Sequence, residues 1–298
     1  MIRMLALAFV LLANAAGALT IEDRRGPQEF ASIPERIVVL DWALAEQVLD
    51  LGVVPVGAPE LDLYRDWVAQ PEMPDGVEDV GLRTEPNLER IAALNPDVII
   101  ASDAPPEDVA RLERIAPVVV FDAWSADHDN VAASEGIFLE IASLTDRTET
   151  AEAMIDAMEG ELQELRTWLG EAFGGSIPET AVIRLNDGAS VWIYGANSIP
   201  VAALEALGIE NALPQPPSRW GVAQKQVDAL AAVENGALIA IRPHMAGDAL
   251  FETPLWRFLP AVQQGMFAET DPVWSYGGYM SLLRHARAFH DALLPLSE

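Results

Sequence analysis

A chain of 298 residues with 18 Lys+Arg against 46 Asp+Glu has a formal net charge of −28, which excludes a surface built to bind polyanions. It contains no cysteine, which excludes disulfides, thiolate metal sites, a thiol nucleophile and a lipidated cysteine anchor. The length suits one large domain or two lobes, and the acid excess reads as solubility.

Residues 1–18 read as a secretory signal peptide. Arg3 precedes the apolar run Leu5–Leu12, which is too short to span a bilayer, and Ala16-Gly17-Ala18 offers a small-x-small cleavage site. A polar leader follows. Ile37-Val38-Val39-Leu40 is a β-branched run expected as a buried strand. Ala43 to Leu51 has helical spacing and ends at Gly52. A second strand is expected over Val53–Val56. The stretch Tyr64–Glu89, YRDWVAQPEMPDGVEDVGLRTEPNLE, has no period and is rich in proline and glycine; a loop this long inside an α/β pattern points to function. Asn87 is placed to cap a short helix, and Asn95-Pro96 stops it. Val98-Ile99-Ile100 and Val118-Val119-Val120 are further strands, with a helix from Glu107 between them. Strands alternating with helices predict parallel βαβ units.

Asn130–Leu144 reads as a helix. From Asp146 to Ala172 an apolar stripe of Ala151, Met154, Ile155, Met158, Leu162, Leu165 and Leu169 keeps three-to-four spacing, about seven turns of helix closed by Gly174-Gly175. The pattern then restarts with strands at Ala181-Val182-Ile183 and Val191–Tyr194 and a helix over Ile199–Leu207. An internal echo is visible. Glu89–Leu94 leads to Val98-Ile99-Ile100, and Asp228–Val233 leads at equal spacing to Ala237-Leu238-Ile239. The predicted architecture is α/β, with an N-terminal lobe over 34–145, an interlobe helix over 146–172 and a C-terminal lobe over 173–298.

No metal or catalytic site is expected. The four histidines stand in no ligand spacing, and no nucleophile elbow, phosphate loop or dinucleotide fingerprint occurs. The aromatic residues stand out instead. Trp67, Trp124, Trp220, Trp274 and Tyr276 fall in or beside Pro- and Gly-rich loops and suit the walls of a cleft. Trp42, Trp168, Trp192 and Trp256 lie in periodic segments and are expected in the core.

The segments DVGLRTEPNLE (79–89), YRDWV, SRWG (218–221), TPLW (253–256) and PVWSYG (272–277) resemble the periplasmic ferric-hydroxamate (ferrichrome-type) siderophore-binding proteins of ABC importers. The resemblance runs in order from about Pro34 to about His290 and implies two α/β lobes joined by one long helix. It implies that Arg83 hydrogen-bonds the hydroxamate oxygens around the ferric ion. It further implies that Trp67, Trp220, Trp274 and Tyr276 line the pocket, and that Glu89 and Asp228 dock on the inner-membrane ABC permease. The cargo is an iron(III)–siderophore complex whose metal is wrapped by six ligand oxygens, so no resident cofactor or protein metal ligand is expected. The chain should be a periplasmic monomer, neither membrane-embedded nor an enzyme.

The sequence departs from the family where a pocket tyrosine is expected after the third strand, since ASDAPPEDV offers only Asp103 and prolines. Arg219 adds a cation beside Trp220 and could favour a siderophore with a free carboxylate. Two alternatives stay open: a binder of another bulky chelate (a catecholate siderophore, haem or a corrinoid) on the same fold, or a secreted α/β hydrolase acting on siderophores.

Overall fold

The computed structural model describes residues 19–245 and 248–297; the signal-peptide reading lies outside them. The first residues described are a hairpin, β1 (Leu19–Asp23) and β2 (Gly26–Phe30). The sequence reading treats this segment as a polar leader. Its two buried apolar side chains, Ile21 and Phe30, dock it on the first lobe, and Val120 N–H donates to Asp23 at 3.0 Å.

The first lobe runs β3 (Ile37–Val39), α1 (Trp42–Asp50), β4 (Gly57–Ala58), α2 (Leu61–Trp67), β5 (Glu78–Asp79), α3 (Leu88–Ala93), β6 (Val98–Ser102), α4 (Pro106–Leu112), β7 (Val118–Phe121) and α5 (Asn130–Leu144). Its five strands are all parallel, in the order β5-β4-β3-β6-β7. The β-branched runs of β3, β6 and β7 are buried on both faces, as a parallel sheet covered by helices requires. The strand expected over Val53–Val56 lies instead at Gly57–Ala58. A Cβ at Gly57 would sit 2.6 Å from Leu94 Cδ1 and 2.8 Å from Val80 Cγ1, so only glycine lets β4 enter the sheet there. The irregular stretch also begins later than expected, because α2 already covers Tyr64–Trp67.

The 25-residue helix α6 (Thr148–Ala172) follows, about 37 Å long. Ala151, Met158, Leu162, Leu165 and Leu169 form its buried stripe, as the spacing predicts. Trp168 departs from expectation: it is 51% exposed at the edge of that stripe, its ring 6.1 Å from the His290 ring.

The second lobe runs β8 (Thr180–Leu185), β9 (Ser190–Tyr194), α7 (Ile199–Ala206), β10 (Val222–Gln226), a 3-10 turn (Val227–Ala232), β11 (Ala237–Ile241), α8 (Pro254–Arg257), α9 (Pro260–Gln263), β12 (Phe267–Thr270) and α10 (Ser281–Leu293). The sheet order β10-β9-β8-β11-β12 repeats that of the first lobe position for position, and β11 holds the place of β6. The sequence echo therefore marks a structural repeat. The copy is imperfect, because β9 runs antiparallel to both its neighbours, β8 and β10.

One hydrophobic core passes through both lobes, from β3 and α1 through α5 and α6 to α7 and α10. A buried polar cluster lies within it where α10 returns to α1. Glu46 of α1 accepts from Gly278 N–H at 3.3 Å and from the Ser281 hydroxyl, and Arg284 of α10 pairs with both Glu46 and Asp50. A single guanidinium thus serves two buried carboxylates. Burial pushes the Glu46 carboxyl up to about 8 against the pull of Arg284, and raises that of Asp50 as well.

Candidate functional site

A cleft of about 960 Å³ lies between the lobes. In open parallel sheets ligands sit beyond the carboxyl ends of the strands, and the first lobe obeys this rule strand by strand. Asp41 follows β3, Glu60 follows β4, Arg83 follows β5, Asp103 follows β6 and Trp124 follows β7, and all five side chains line the cleft. The second lobe supplies Trp192, Trp220, Trp274 and Tyr276.

Arg83 is held at the centre of the first-lobe wall. Its loop is pinned by Asn87 N–H to Val80 O at 2.7 Å and by Gly81 N–H to the Asp79 carboxylate at 2.7 Å, with Gly81 at φ +96°. The Arg83 Nε donates to Glu60 at 2.5 Å, and its guanidinium carbon sits 3.5 Å from the centroid of the Trp42 ring. Trp42 is fixed in turn by its indole N–H to Pro59 O at 3.0 Å. One N–H is spent on Glu60, and the other edge of the fork is available to a ligand.

The aromatic residues form a continuous belt from the buried Trp42 into the cleft. Trp42 meets Trp274 at 5.1 Å, Trp274 meets Tyr276 at 5.3 Å, and Tyr276 meets Trp220 at 5.6 Å and Trp124 at 5.8 Å. Trp220 is 43% exposed, the most open member. Burial raises the Tyr276 phenol above its ordinary range, so the hydroxyl stays protonated and able to donate.

Trp67 corrects the sequence reading. It does not line the cleft; it ends α2, half-buried against Trp274 at 6.3 Å, edge to face. Arg184 backs the same wall. This 2%-exposed guanidinium donates to Val273 O at 3.0 Å and Ser275 Oγ at 3.2 Å, on either side of Trp274, and lies 5.2 Å over Trp67.

Trp42 lies in the core as expected, 2% exposed and outside the cleft lining. Sequence reasoning also placed Trp192 in the core, whereas it lines the cleft, and passed over Glu60. Trp192 alternates with Val191 and Ile193, which are buried on the other face of β9. The place of the absent tyrosine is taken by Asp103, at φ +50°, which pairs across the cleft with Arg219 of the second lobe. Arg219 also lies 4.9 Å over Trp220. Glu89 and Asp228 are outside the cleft, each exposed in the first turn of its short helix.

The histidines yield one grouping that spacing did not suggest: His244, Asp248 and Glu269 lie within metal-ligand reach of one another. Arg242 already pairs with Glu269 at 2.9 Å and Asp248 at 3.4 Å, so a guanidinium supplies the positive charge there. His285 is fully buried, and its imidazole is pushed down to about 3 by that burial.

Comparison with known proteins agrees with this geometry. The family model described as periplasmic binding protein matches residues 37–273. The iron(3+)-hydroxamate-binding protein FhuD of Escherichia coli (strain K12) is 32% identical over 262 residues, covering 87% of each chain. The Fe(3+) dicitrate-binding periplasmic protein FecB of the same organism is 25% identical over 285 residues, covering 91% of this chain and 88% of the relative. The crystal structure of FhuD from Vibrio cholerae with Fe3+-Desferal bound superposes with a TM-score of 0.87 at 43% identity, covering 90% of this chain and all of that one. With its two-lobed fold, its interlobe cleft and these likenesses along nearly its whole length, the chain belongs to the periplasmic binding protein family.

Proposed function

We propose that this protein captures ferric hydroxamate siderophores in the interlobe cleft and delivers them to an inner-membrane ABC permease. The observation that carries the reading is the joining of the aromatic belt to the clamped Arg83 fork. A ferric tris-hydroxamate is a bulky chelate with no net charge on its core, an apolar exterior and partly negative oxygens around the metal. It needs apolar walls and a few fixed donors. Trp124, Trp220 and Trp274 offer the walls, and Arg83 and the Tyr276 hydroxyl offer the donors. The likeness to two FhuD proteins, one holding Fe3+-Desferal, supports the same ligand class.

In this reading the ligand is carried unchanged, and the protein works as a monomer in the periplasm. Glu89 and Asp228, one on each lobe, pair with basic residues of the permease. The shared core and the Glu46–Arg284–Asp50 cluster restrain the lobes, so binding closes them only slightly.

Tryptophan-fluorescence titration with ferric siderophores and their iron-free forms tests the proposal. Submicromolar quenching by ferric hydroxamates, and weaker response to the iron-free ligands, is expected. Preference for a catecholate, haem or a corrinoid, or turnover of the siderophore, would overturn it.

A further inference from the structure

From the sequence, Arg219 is expected to favour a carboxylate-bearing ligand; the pairing of the cleft's charges points the other way. Both guanidiniums that line the cleft already have a carboxylate partner within the protein, Arg83 with Glu60 at 2.5 Å and Arg111 with Asp108 at 3.3 Å, and Arg219, at the side of the cleft residue Asp103, is paired with it. Arg184 is buried behind the aromatic wall and does not reach the cavity. Two further carboxylates face the cleft with no ion-pair partner among the described residues. Asp41 spends one oxygen capping α1, through Ala43 N–H at 2.8 Å and Leu44 N–H at 3.3 Å. Glu85 stands exposed in the Arg83 loop and makes no side-chain hydrogen bond among those residues. Burial holds the Asp41 carboxyl above its ordinary range, and Arg83 nearby pulls it the other way. The aromatic faces of the belt favour cations as well.

We infer that the cleft selects among ferric trihydroxamates by charge, preferring those that carry a protonated amine, with Glu85 receiving the ammonium, over neutral ones and over those bearing an added carboxylate. An anionic group would enter a cleft whose lining cations, among the described residues, are all paired, on a chain whose formal charge is −28. A neutral hydroxamate core is indifferent to this field, and an ammonium tail gains from it. The inference rests on the hydroxamate reading of the same cleft.

Three ligands built on one chelate separate the two claims. Ferric Desferal ends in a primary amine, its N-acetyl derivative is neutral there, and its N-succinyl derivative ends in a carboxylate. The expected order of affinity is amine, then acetyl, then succinyl, each step about two- to fivefold at low salt, with the spread shrinking at high salt. In Glu85→Gln and then Glu85→Lys, the ratio of amine to acetyl affinity should fall in steps. Equal binding of all three ligands, or the reverse order, overturns the charge preference while the hydroxamate reading stands. An unmoved ratio in both Glu85 variants overturns the assignment of that residue. Failure of all three to bind overturns the hydroxamate reading itself, and this inference with it.

Discussion

Arg83→Ala is the sharpest test of the cleft. The side chains of Arg83 and Glu60 are 33% and 15% exposed, so the pair is largely withdrawn from water, and the guanidinium is held flat on Trp42 at 3.5 Å. Its free N–H groups are therefore fixed in direction before a ligand arrives. Losing hydrogen bonds from such a charged donor costs about 1.5–3 kcal/mol, or about ten- to a hundredfold in Kd. The same change strands the Glu60 carboxylate, which would lower stability by about 1–3 kcal/mol whether or not ligand is bound. The double variant Arg83→Ala/Glu60→Gln removes that second effect, so its thermal midpoint should recover while its affinity should not. Arg83→Lys keeps the charge but loses the planar fork and should recover only part of the affinity. Tryptophan quenching by a ferric hydroxamate, paired with thermal melts of the empty protein, reads both quantities. A Kd for Arg83→Ala within twofold of the native value, in a protein that melts normally, would refute the role given to this arginine.

Other outcomes follow from the same geometry. Trp220→Ala, which opens the belt at its most exposed member, should weaken ferric hydroxamate binding by about 1–2 kcal/mol, whereas Trp168→Ala on α6, outside the cleft lining, should leave Kd unchanged in the same titration. Glu89→Arg and Asp228→Arg should keep ligand affinity and reduce uptake by cells carrying the permease; loss of binding instead would place those residues in the pocket or the frame. Glu46 holds its proton more tightly folded than unfolded, up to about 8 against an ordinary 4.5, so its contribution to stability is complete below 4.5 and is lost as pH rises toward about 8. Glu46→Gln should flatten that decline in thermal melts recorded across the window, and an unaltered slope would contradict the proton assignment.

Much of the frame was legible because burial on both faces writes β-branched runs into a sequence, as in Ile37–Val39 and Val118–Phe121, and because the stripe of α6 is long. Glu89 and Asp228 disclosed the repeat, since each opens the turn before the same strand of its sheet. The hairpin of residues 19–30 stayed hidden, because only Ile21 and Phe30 of its apolar side chains are buried and the buried Asp23 gives no apolar signal. In the cleft, Arg83, Trp220, Trp274 and Tyr276 were legible from their motifs. Trp67 is not among the cleft-lining residues; a motif reports a neighbourhood and not a depth, and the Trp67 ring packs 6.3 Å from that of Trp274, which does line the cavity. Glu60 and the Asp103–Arg219 pair could not be found from the sequence, since partners 23 and 116 residues apart meet only in the folded chain.

The core that passes without a break from the first lobe into the second has a consequence for how the molecule comes apart. Neither lobe owns the packing surface it needs: α10, at the far end of the chain, completes the interior around α1 near the beginning. A chain cut in α6 would leave two halves with their largest apolar faces bare, and neither should fold alone. The intact protein should melt in one calorimetric step, with a calorimetric enthalpy equal to the van't Hoff value. A ligand held only at the cleft would then raise the melting temperature of the entire molecule, including the outer face of α6.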